Sequence, residues 1–490
     1  MTDMESGDKK SFRDSVNTAD VDAAYGVYED IRGVEGDTAA QRSLLWKIDL
    51  RLMPLICITY MLQSIDKTTL GYAVVFGVRD DAHLSGTEYS WLGALFYLGY
   101  LAWEYPTGVL LQKLPIAKFM SVTVILWGIV LMCHAAASDF AGLAAARTFL
   151  GVFEASINPG TMLLFSMWYR RIEQPLRMGI WVIAGIASFG IGHIGGALPS
   201  WRYIFLIWGA ITFLWGFVIL LFLPDSPVKA KFLSEDERKA AIDRIKDNET
   251  GIENKHWKKD QFIEAMLDVK TWLLFIFAVT SNAPNGGLTN FQSLIIKGMG
   301  FSTLETTLIQ MPSGAVQFFV CTGATYFASR YPNARLVVML VCLIPFLAGT
   351  IGTWLVPQSV PYGRLACLWI SFSYTATWTL SMSVATANTA GHTKKVARNA
   401  MLLIGYCLGN FIGPFFFFLT KQAPKYELGV GMMFFCIGIQ VLSIVGLWVL
   451  LWRRNVSRRK LTTANDSSAG YELGFQDVTD KANKHFVYVY

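Results

Sequence analysis

The chain has 490 residues, of which 53% are hydrophobic and 16% are charged, and its formal net charge is +6 at pH 7. Soluble domains average about 25% charged residues, so this composition excludes an ordinary soluble protein and indicates a membrane protein. The small positive charge gives no argument for nucleic-acid binding. We expect a protein that lies in the lipid bilayer as a monomer, with no nucleic-acid partner.

The seven cysteines fall in apolar stretches without a C-x-x-C pair, which argues against structural disulfides and against a zinc site. The sequence shows no cluster of metal ligands and no nucleophile beside a base. It therefore predicts a protein that is not an enzyme and that needs no cofactor other than the proton as a coupling ion. Residues 1–42 are polar and acidic, without the apolar run of a signal peptide.

Apolar runs of about 20 residues, the length that crosses a bilayer as a helix, predict an all-α integral membrane protein with twelve transmembrane helices. The first six predicted spans are 52–76, 89–112, 117–137, 141–166, 178–199 and 202–223. The second six are 271–296, 304–328, 335–355, 362–387, 399–420 and 429–451. The long polar loop between the two sets predicts two six-helix halves.

These spans divide the chain into five parts. The predicted parts are a disordered cytosolic segment 1–44, a half 45–223, a central loop 224–270, a half 271–452 and a cytosolic tail 453–490, which is polar and expected to be mobile. In the central loop, Ser234 precedes Glu237 by three residues, which is the spacing of a capping box. We therefore expect a surface helix from about 234 to 247.

Basic residues in the short loops predict the orientation. The side shared with the N-terminus carries Lys113, Lys118, Arg170, Arg171, Arg177, Arg330, Arg335, Lys394, Lys395 and Arg398. The other side carries Arg79, Arg202, Lys297, Arg364, Lys421 and Lys425. Since cytosolic loops hold the excess of Lys and Arg, both termini are expected in the cytosol, and the expected location is the plasma membrane.

Four charges lie inside predicted helices of the first half: Asp66, Lys67, Arg147 and Glu154. Each charge costs roughly 2.5–3.5 kcal/mol on insertion scales, so it is tolerated where it faces protein, water or another charge. Arg147 and Glu154 are two turns apart on one helix face, about 10 Å along the axis. We expect Arg147 and Lys67 to bind an anionic substrate, and Glu154 and Asp66 to carry protons. The alternative for Asp66 and Lys67 is a neutral pair that only positions its helix.

Other polar residues could complete such a site. Tyr100, in the second helix, either hydrogen-bonds a carboxylate or packs. In the second half the substrate-binding candidates are Asn290, Asn388 and Asn410, for which hydrogen bonding between helices is the alternative role.

Several motifs together identify a family. They are R-x-x-L-G-x-F-E-A at 147–155, MWYRRIEQPLR at 167–177, WRYIF at 201–205, and LPDSP, PNGG, GHTKK and GYCLGNFIGP further along. The sequence resembles the fungal allantoate permease family, in the anion:cation symporter branch of the major facilitator superfamily.

The resemblance implies proton-driven uptake of a small organic anion by alternating access. Candidate substrates are allantoate, ureidosuccinate, nicotinate, pantothenate and small peptides. Bacterial symporters of this branch carry an acidic–basic pair in the first helix, a tyrosine in the second, and an arginine and a glutamate seven residues apart in the fourth. The matching residues here are Asp66, Lys67, Tyr100, Arg147 and Glu154. Ser188 stands where those symporters have a glutamine in the fifth helix, and Phe415 where the allantoate group often has one.

Two other functions remain open. A proton-coupled exporter of a metabolite or drug would have the same fold, but such exporters usually carry Gly-Pro near the end of helix five. Here Gly195-Gly196 is followed by Ala197-Leu198 before Pro199. A nutrient sensor that does not transport would be expected to carry long signalling extensions, whereas the tails here are short.

Overall fold

The computed structural model describes residues 38–85, 87–168, 198–227, 230, 232–246, 258–331, 333–417, 426–459, 479–483 and 486–490. The helices of the first half are α1 (Thr38–Val75), α2 (Glu88–Lys113), α3 (Ile116–Cys133), α4 (Phe140–Glu154), α5 (Ile157–Trp168) and α6 (Ser200–Phe222). The central region holds α7 (Glu235–Lys246) and α8 (Lys259–Leu267). The second half has α9 (Val269–Lys297), α10 (Thr303–Ile309), α11 (Met311–Arg330), α12 (Arg335–Leu355), α13 (Pro361–Ser371), α14 (Thr375–Ala387), α15 (His392–Ile412) and α16 (Glu427–Arg459).

Eleven of the twelve predicted spans fall on helices in the described part of the chain, while span 178–199 lies outside it except for its last two residues. Within the described residues, seven helical segments are long and apolar enough to cross a membrane by length and composition alone. We call the face that carries the beginning of α1 and the end of α16 the terminal face, and the other the opposite face. The all-α architecture confirms the predicted fold class.

The fourth predicted span is not one helix. α4 ends at Glu154 and α5 begins at Ile157, so a two-residue turn interrupts the helix expected over 141–166, although Phe140–Thr161 remains one segment long and apolar enough to span a membrane. Pro159 has no backbone N–H and its ring crowds the carbonyl of Ala155, which breaks the hydrogen-bond ladder at this point. The break leaves Glu154 at the end of α4, inside the bundle.

Helices α9 and α15 touch through their backbones. A Cβ atom on Gly409 would lie 2.4 Å from the carbonyl oxygen of Val279, and one on Gly413 would lie 2.1 Å from that of Ala283. Only glycine permits this approach, and both partners advance by four residues, one helical turn. The two helices therefore run side by side in a fixed register.

The two halves meet near the opposite face. The Tyr89 hydroxyl donates to the Asn290 carbonyl at 2.6 Å, and Lys297 Nζ donates to the Val75 carbonyl at 3.2 Å. The Trp91 ring packs edge-on against Phe411 and Phe415, with centroids 6.0 and 5.0 Å away. These contacts close the opposite face between the halves.

The central helix lies where the capping box predicts it. The Ser234 backbone N–H donates to Glu237 Oε2 at 2.9 Å, and the Glu237 N–H donates to Ser234 Oγ at 3.3 Å. Lys47 on α1 forms an ion pair with Glu237 at 2.7 Å, which ties α7 to the first half.

Both ends of the described chain are more ordered than expected. The segment 1–44 is predicted to be disordered, but α1 begins at Thr38. The tail 453–490 is predicted to be mobile, but α16 continues to Arg459, and Asp480 and Tyr488 are buried. The described residues of both segments thus differ from these expectations, and in the tail the reason is that Asp480 and Tyr488 find partners that composition does not reveal.

Candidate functional site

An ion pair between α1 and α4 lies at the centre of the first half. Lys67 Nζ is 3.1 Å from Glu154 Oε1, and Gln63 Nε2 donates to the same oxygen at 2.8 Å. Gln63 and Lys67 are four residues apart, so α1 presents both on one face. The Glu154 side chain is fully buried, whereas 21% of the Lys67 side chain is exposed. Lys67 is therefore the partner that a solute can reach.

Arg147 lies on the same buried face of α4 as Glu154, with Leu143 and Leu150 in the same stripe. It is 3% exposed, and its Nε and Nη2 atoms have no hydrogen-bond partner among the described residues. The charges of Asp66 and Glu154 lie close enough to act on it. Arg147 thus contributes a buried positive charge with free donors.

Asp66 points away from its neighbour Lys67. The Trp127 indole N–H on α3 donates to Asp66 Oδ2 at 2.6 Å, and Asp66 is 1% exposed. Consecutive residues on a helix point about 100° apart, which explains the divergence. Asp66 therefore lies inside the first half, while Lys67 lies nearer the second half.

Aromatic residues connect this centre to the second half. The Tyr97 ring packs edge-on against Tyr406 on α15, with ring centroids 5.9 Å apart. Trp378 stacks on Tyr406 with ring centroids 5.5 Å apart and planes 29° apart. The predicted residue Tyr100 lies 6.5 Å from Tyr406 between centroids. The wall opposite Lys67 is therefore aromatic.

One predicted asparagine lies beside this wall. Asn410 Nδ2 donates to the Tyr406 carbonyl at 2.9 Å, and Asn410 Oδ1 accepts from Asn285 Nδ2 at 2.7 Å. Asn285 Oδ1 in turn accepts from the Tyr374 hydroxyl at 2.9 Å. Asn410 belongs to a buried amide network that supports the aromatic wall.

The structure does not bring the other two predicted asparagines to this centre. Asn290 lies in the closure at the opposite face, where its Nδ2 donates to the Gly286 carbonyl at 2.7 Å. Asn388 lies at the terminal face and holds Val489 near the C-terminus, with Asn388 Nδ2 2.7 Å from the Val489 carbonyl. Both side chains bind backbone, which fits a structural role.

Sequence reasoning missed several residues of this site. The i, i+4 spacing of Gln63 and Lys67 was a usable signal for Gln63. Tyr97, Tyr406 and Trp378 carried no such signal, because they meet only when helices far apart in sequence pack together.

The formal charges of the four side chains at this centre sum to zero. Asp66 and Glu154 supply two negative charges, and Lys67 and Arg147 supply two positive charges. An isolated buried charge is strongly unfavourable, so each of these four charges depends on the others for compensation. Among the described residues, no group of three or more His, Cys, Asp or Glu side chains could hold a metal ion.

Comparison with known proteins shows the family to which the chain belongs. Residues 56–414 match the model of the Major Facilitator Superfamily. The chain is 36% identical to "Uncharacterized transporter C417.10" of Schizosaccharomyces pombe, over 96% of this chain and 93% of that protein. It is 31% identical to "Allantoate permease" of Saccharomyces cerevisiae, over 96% of this chain and 90% of that protein.

A solved structure shows the same fold. The xylose transporter XylE from E. coli, in an inward open conformation, superposes with a TM-score of 0.60 over 82% of this chain and 95% of that chain, at 11% identity. The chain is therefore a transporter of the major facilitator superfamily, and it belongs to the fungal group that includes allantoate permease.

Proposed function

We propose that this transporter carries a small organic anion together with protons by alternating access. The observation that supports the proposal most is the ion pair between Lys67, which is partly exposed, and Glu154, which is fully buried. In this arrangement an entering anion can compete with Glu154 for Lys67.

The coupling follows from charge. When a carboxylate substrate takes Lys67, Glu154 loses its nearest cation while it remains buried. A buried carboxylate without a countercharge is strongly disfavoured, so Glu154 takes up a proton. Release of the substrate restores the ion pair and expels the proton. Proton and substrate then favour each other's binding to the same extent, as linkage requires.

Arg147 and Asp66 are the other two charged residues at this centre, and each has a separate role when the substrate and the proton bind. Arg147 cannot be deprotonated in a protein, so it acts as a fixed cation that offers free donors to the substrate anion. Asp66 is the competing proton carrier. Its hydrogen bond from Trp127 holds it inside the first half, away from the exposed Lys67, which favours Glu154 for the role.

Small carboxylates such as allantoate, ureidosuccinate, nicotinate or pantothenate fit a centre with two cations and an aromatic and amide wall. The relative named allantoate permease supports the same class. The excess of Lys and Arg near the terminal face supports a cytosolic position for both termini, and the plasma membrane is the membrane we propose. An epitope tag inserted after Asn254 tests this orientation: antibody binding to intact cells would contradict it.

The decisive experiment compares Glu154→Gln with Asp66→Asn in proteoliposomes. Glu154→Gln mimics the protonated carboxyl, so it should still exchange substrate in counterflow yet lose accumulation driven by a pH gradient. A panel of radiolabelled carboxylates, with and without a proton uncoupler, identifies the substrate and the direction of transport.

Asp66→Asn is the matched control, because it removes one carboxylate charge from the same centre. We expect it to keep gradient-driven accumulation. If Glu154→Gln accumulates substrate at the wild-type level while Asp66→Asn does not, the assignment passes to Asp66. If no anion in the panel depends on the pH gradient in the wild type, symport of that class is excluded.

A further inference from the structure

A second charged centre lies at the terminal face of the second half, away from the transport site. Asp268, the N-cap of α9, accepts from Arg398 Nη2 on α15 and from Arg454 Nη2 on α16, both at 3.0 Å. Lys394 Nζ on α15 pairs with Glu264 Oε1 at 2.7 Å. These bonds join the terminal ends of α8, α9, α15 and α16.

The C-terminal end of the chain inserts an acid into this centre. Asp480 is fully buried, its Oδ1 lies 2.7 Å from Lys394 Nζ, and its Oδ2 accepts from Lys270 Nζ. Burial alone would raise the pKa of the Asp480 carboxyl, but the charges of Lys270 and Lys394 hold it well below its usual value. Asp480 is therefore an ionised ligand of two buried lysines.

Tyr488 reinforces the same contact. Its hydroxyl donates to Asp480 Oδ2 at 2.9 Å, and it is 1% exposed. Lys270 Nζ lies 4.4 Å from the ring centroid, and Arg458 Cζ lies 4.6 Å from it. A ring between two cations gains from cation–π attraction.

Side-chain amides bind the backbone of the same segment. Asn388 Oδ1 accepts from the Val489 N–H at 2.8 Å, and Asn388 Nδ2 donates to the Val489 carbonyl at 2.7 Å. Asn455 makes the same pair of bonds with Tyr488, at 3.0 and 2.8 Å. Two asparagines on different helices thus bind the backbone of two consecutive residues, in the way that peptide-binding proteins recognise main chain.

We propose that the terminal face of the second half carries a peptide-binding site whose resident ligand is the chain's own residues 479–490, held as a releasable clasp. The pairs of Asp480, the ring of Tyr488 and the two asparagines are the features that would bind a peptide. The ligand belongs to the same chain as its site, so docking is intramolecular.

The charge balance explains why the ligand must present a carboxylate at this point. With the segment docked, Asp480 adds a negative charge to the centre. Without it, five cations (Lys270, Lys394, Arg398, Arg454 and Arg458) face only two acids, Glu264 and Asp268. The vacated site would be basic, and the ends of α9, α15 and α16 would repel one another.

Hydrogen exchange of the full-length protein tests the clasp. In the wild type, amide exchange in the peptide 479–490 should be slow, because the Tyr488 and Val489 N–H groups are bonded. In Asp480→Asn this exchange should quicken by about a hundredfold, since removing one charge of a buried pair leaves the lysines uncompensated. Exchange within α1–α6 should stay unchanged, which shows that the variant remains folded.

Lys481→Ala is the matched control, because Lys481 is the exposed neighbour of Asp480, and its exchange should match the wild type. A fluorescent synthetic peptide of residues 479–490 should then bind the full-length Asp480→Asn chain at least about tenfold more tightly than it binds the wild-type chain, whose site is occupied in cis. Equal exchange in wild type and Asp480→Asn, or equal peptide binding to both chains, would overturn the proposal.

Discussion

Lysine, and not arginine, is the exposed cation of the transport site, which affects recognition. An arginine would grip a carboxylate through two parallel N–H bonds, whereas an ammonium is a compact charge on a flexible stem. Lys67 can therefore turn from Glu154 Oε1 to a substrate oxygen without a fixed geometry. We infer that this site recognises the charge of the anion more than the plane of its carboxylate, and that selectivity comes from the aromatic wall.

A double-mutant cycle tests the Lys67–Glu154 pair. Lys67→Met leaves Glu154 buried without its nearest cation and should destabilise the protein by about 3 kcal/mol. Lys67→Met combined with Glu154→Gln removes both charges, so much of the lost stability should return. Thermal unfolding in detergent measures both variants.

Lys118→Met, at an exposed position of α3, is the control and should leave the unfolding temperature unchanged. If the double variant is less stable than Lys67→Met alone, the two side chains do not act as a pair.

Within the second half, helices α9 and α15 pack closely against each other. Their backbones meet at Gly409 and Gly413, where a side chain would strike a carbonyl oxygen. Atoms packed this closely leave no room for the helices to slide, so the second half should move as one body during transport. The conformational change must then occur between the halves.

Gly409→Ala should disrupt this contact. Its Cβ would lie 2.4 Å from the Val279 carbonyl oxygen, and overpacking of this kind costs about 1–3 kcal/mol. We expect a lower unfolding temperature and less monodisperse protein on size-exclusion chromatography. Gly438→Ala, on α16 with no atom within 4 Å of its Cβ, should behave as wild type. Identical behaviour of the two variants would refute the backbone contact.

Helix positions were largely predictable from sequence, but breaks and docking were not. The span 335–355 coincides with α12, because an uninterrupted apolar run has clear ends. Pro159 indicates the helix break before Ile157. The apolar run on both sides of it nevertheless favoured a single helix. The site charges Arg147 and Glu154 were readable because a charge in lipid is costly. The docking of the tail could not be predicted, because Asp480 is distant in sequence from Lys270 and Lys394.

In the whole molecule, the closure at the opposite face would be one end of the proposed transport cycle. It is built from the beginning of α2 and the ends of α9 and α15. Alternating access requires that these contacts break when the opposite face opens. A substitution that obstructs them should shift the population toward the open form.

Gly93→Leu is such a substitution, because a Cβ at this position would lie 2.9 Å from the Asn290 side chain. A cysteine at Ser293, which is 1% exposed here, should react faster with a membrane-impermeant maleimide in this variant, in a background without the native cysteines. Gly108→Leu, on the same helix with no atom within 4 Å of its Cβ, should leave the reaction rate unchanged. Equal rates in both variants would exclude Gly93 from the closure.

The glycine register of α9 and α15 also bears on how the protein is made. Helix α9 enters the membrane well before α15 is synthesised, and three other membrane crossings separate them in the chain. Until α15 arrives, Asn285 lacks its Asn410 partner, and the backbone face that receives Gly409 lies open to lipid or to other proteins. Unsatisfied polar groups in lipid are costly, so these groups of the nascent second half must be shielded from lipid during this interval. Assembly of this half is therefore delayed until its fifth crossing is inserted, and chains that end before residue 413 should be cleared by quality control.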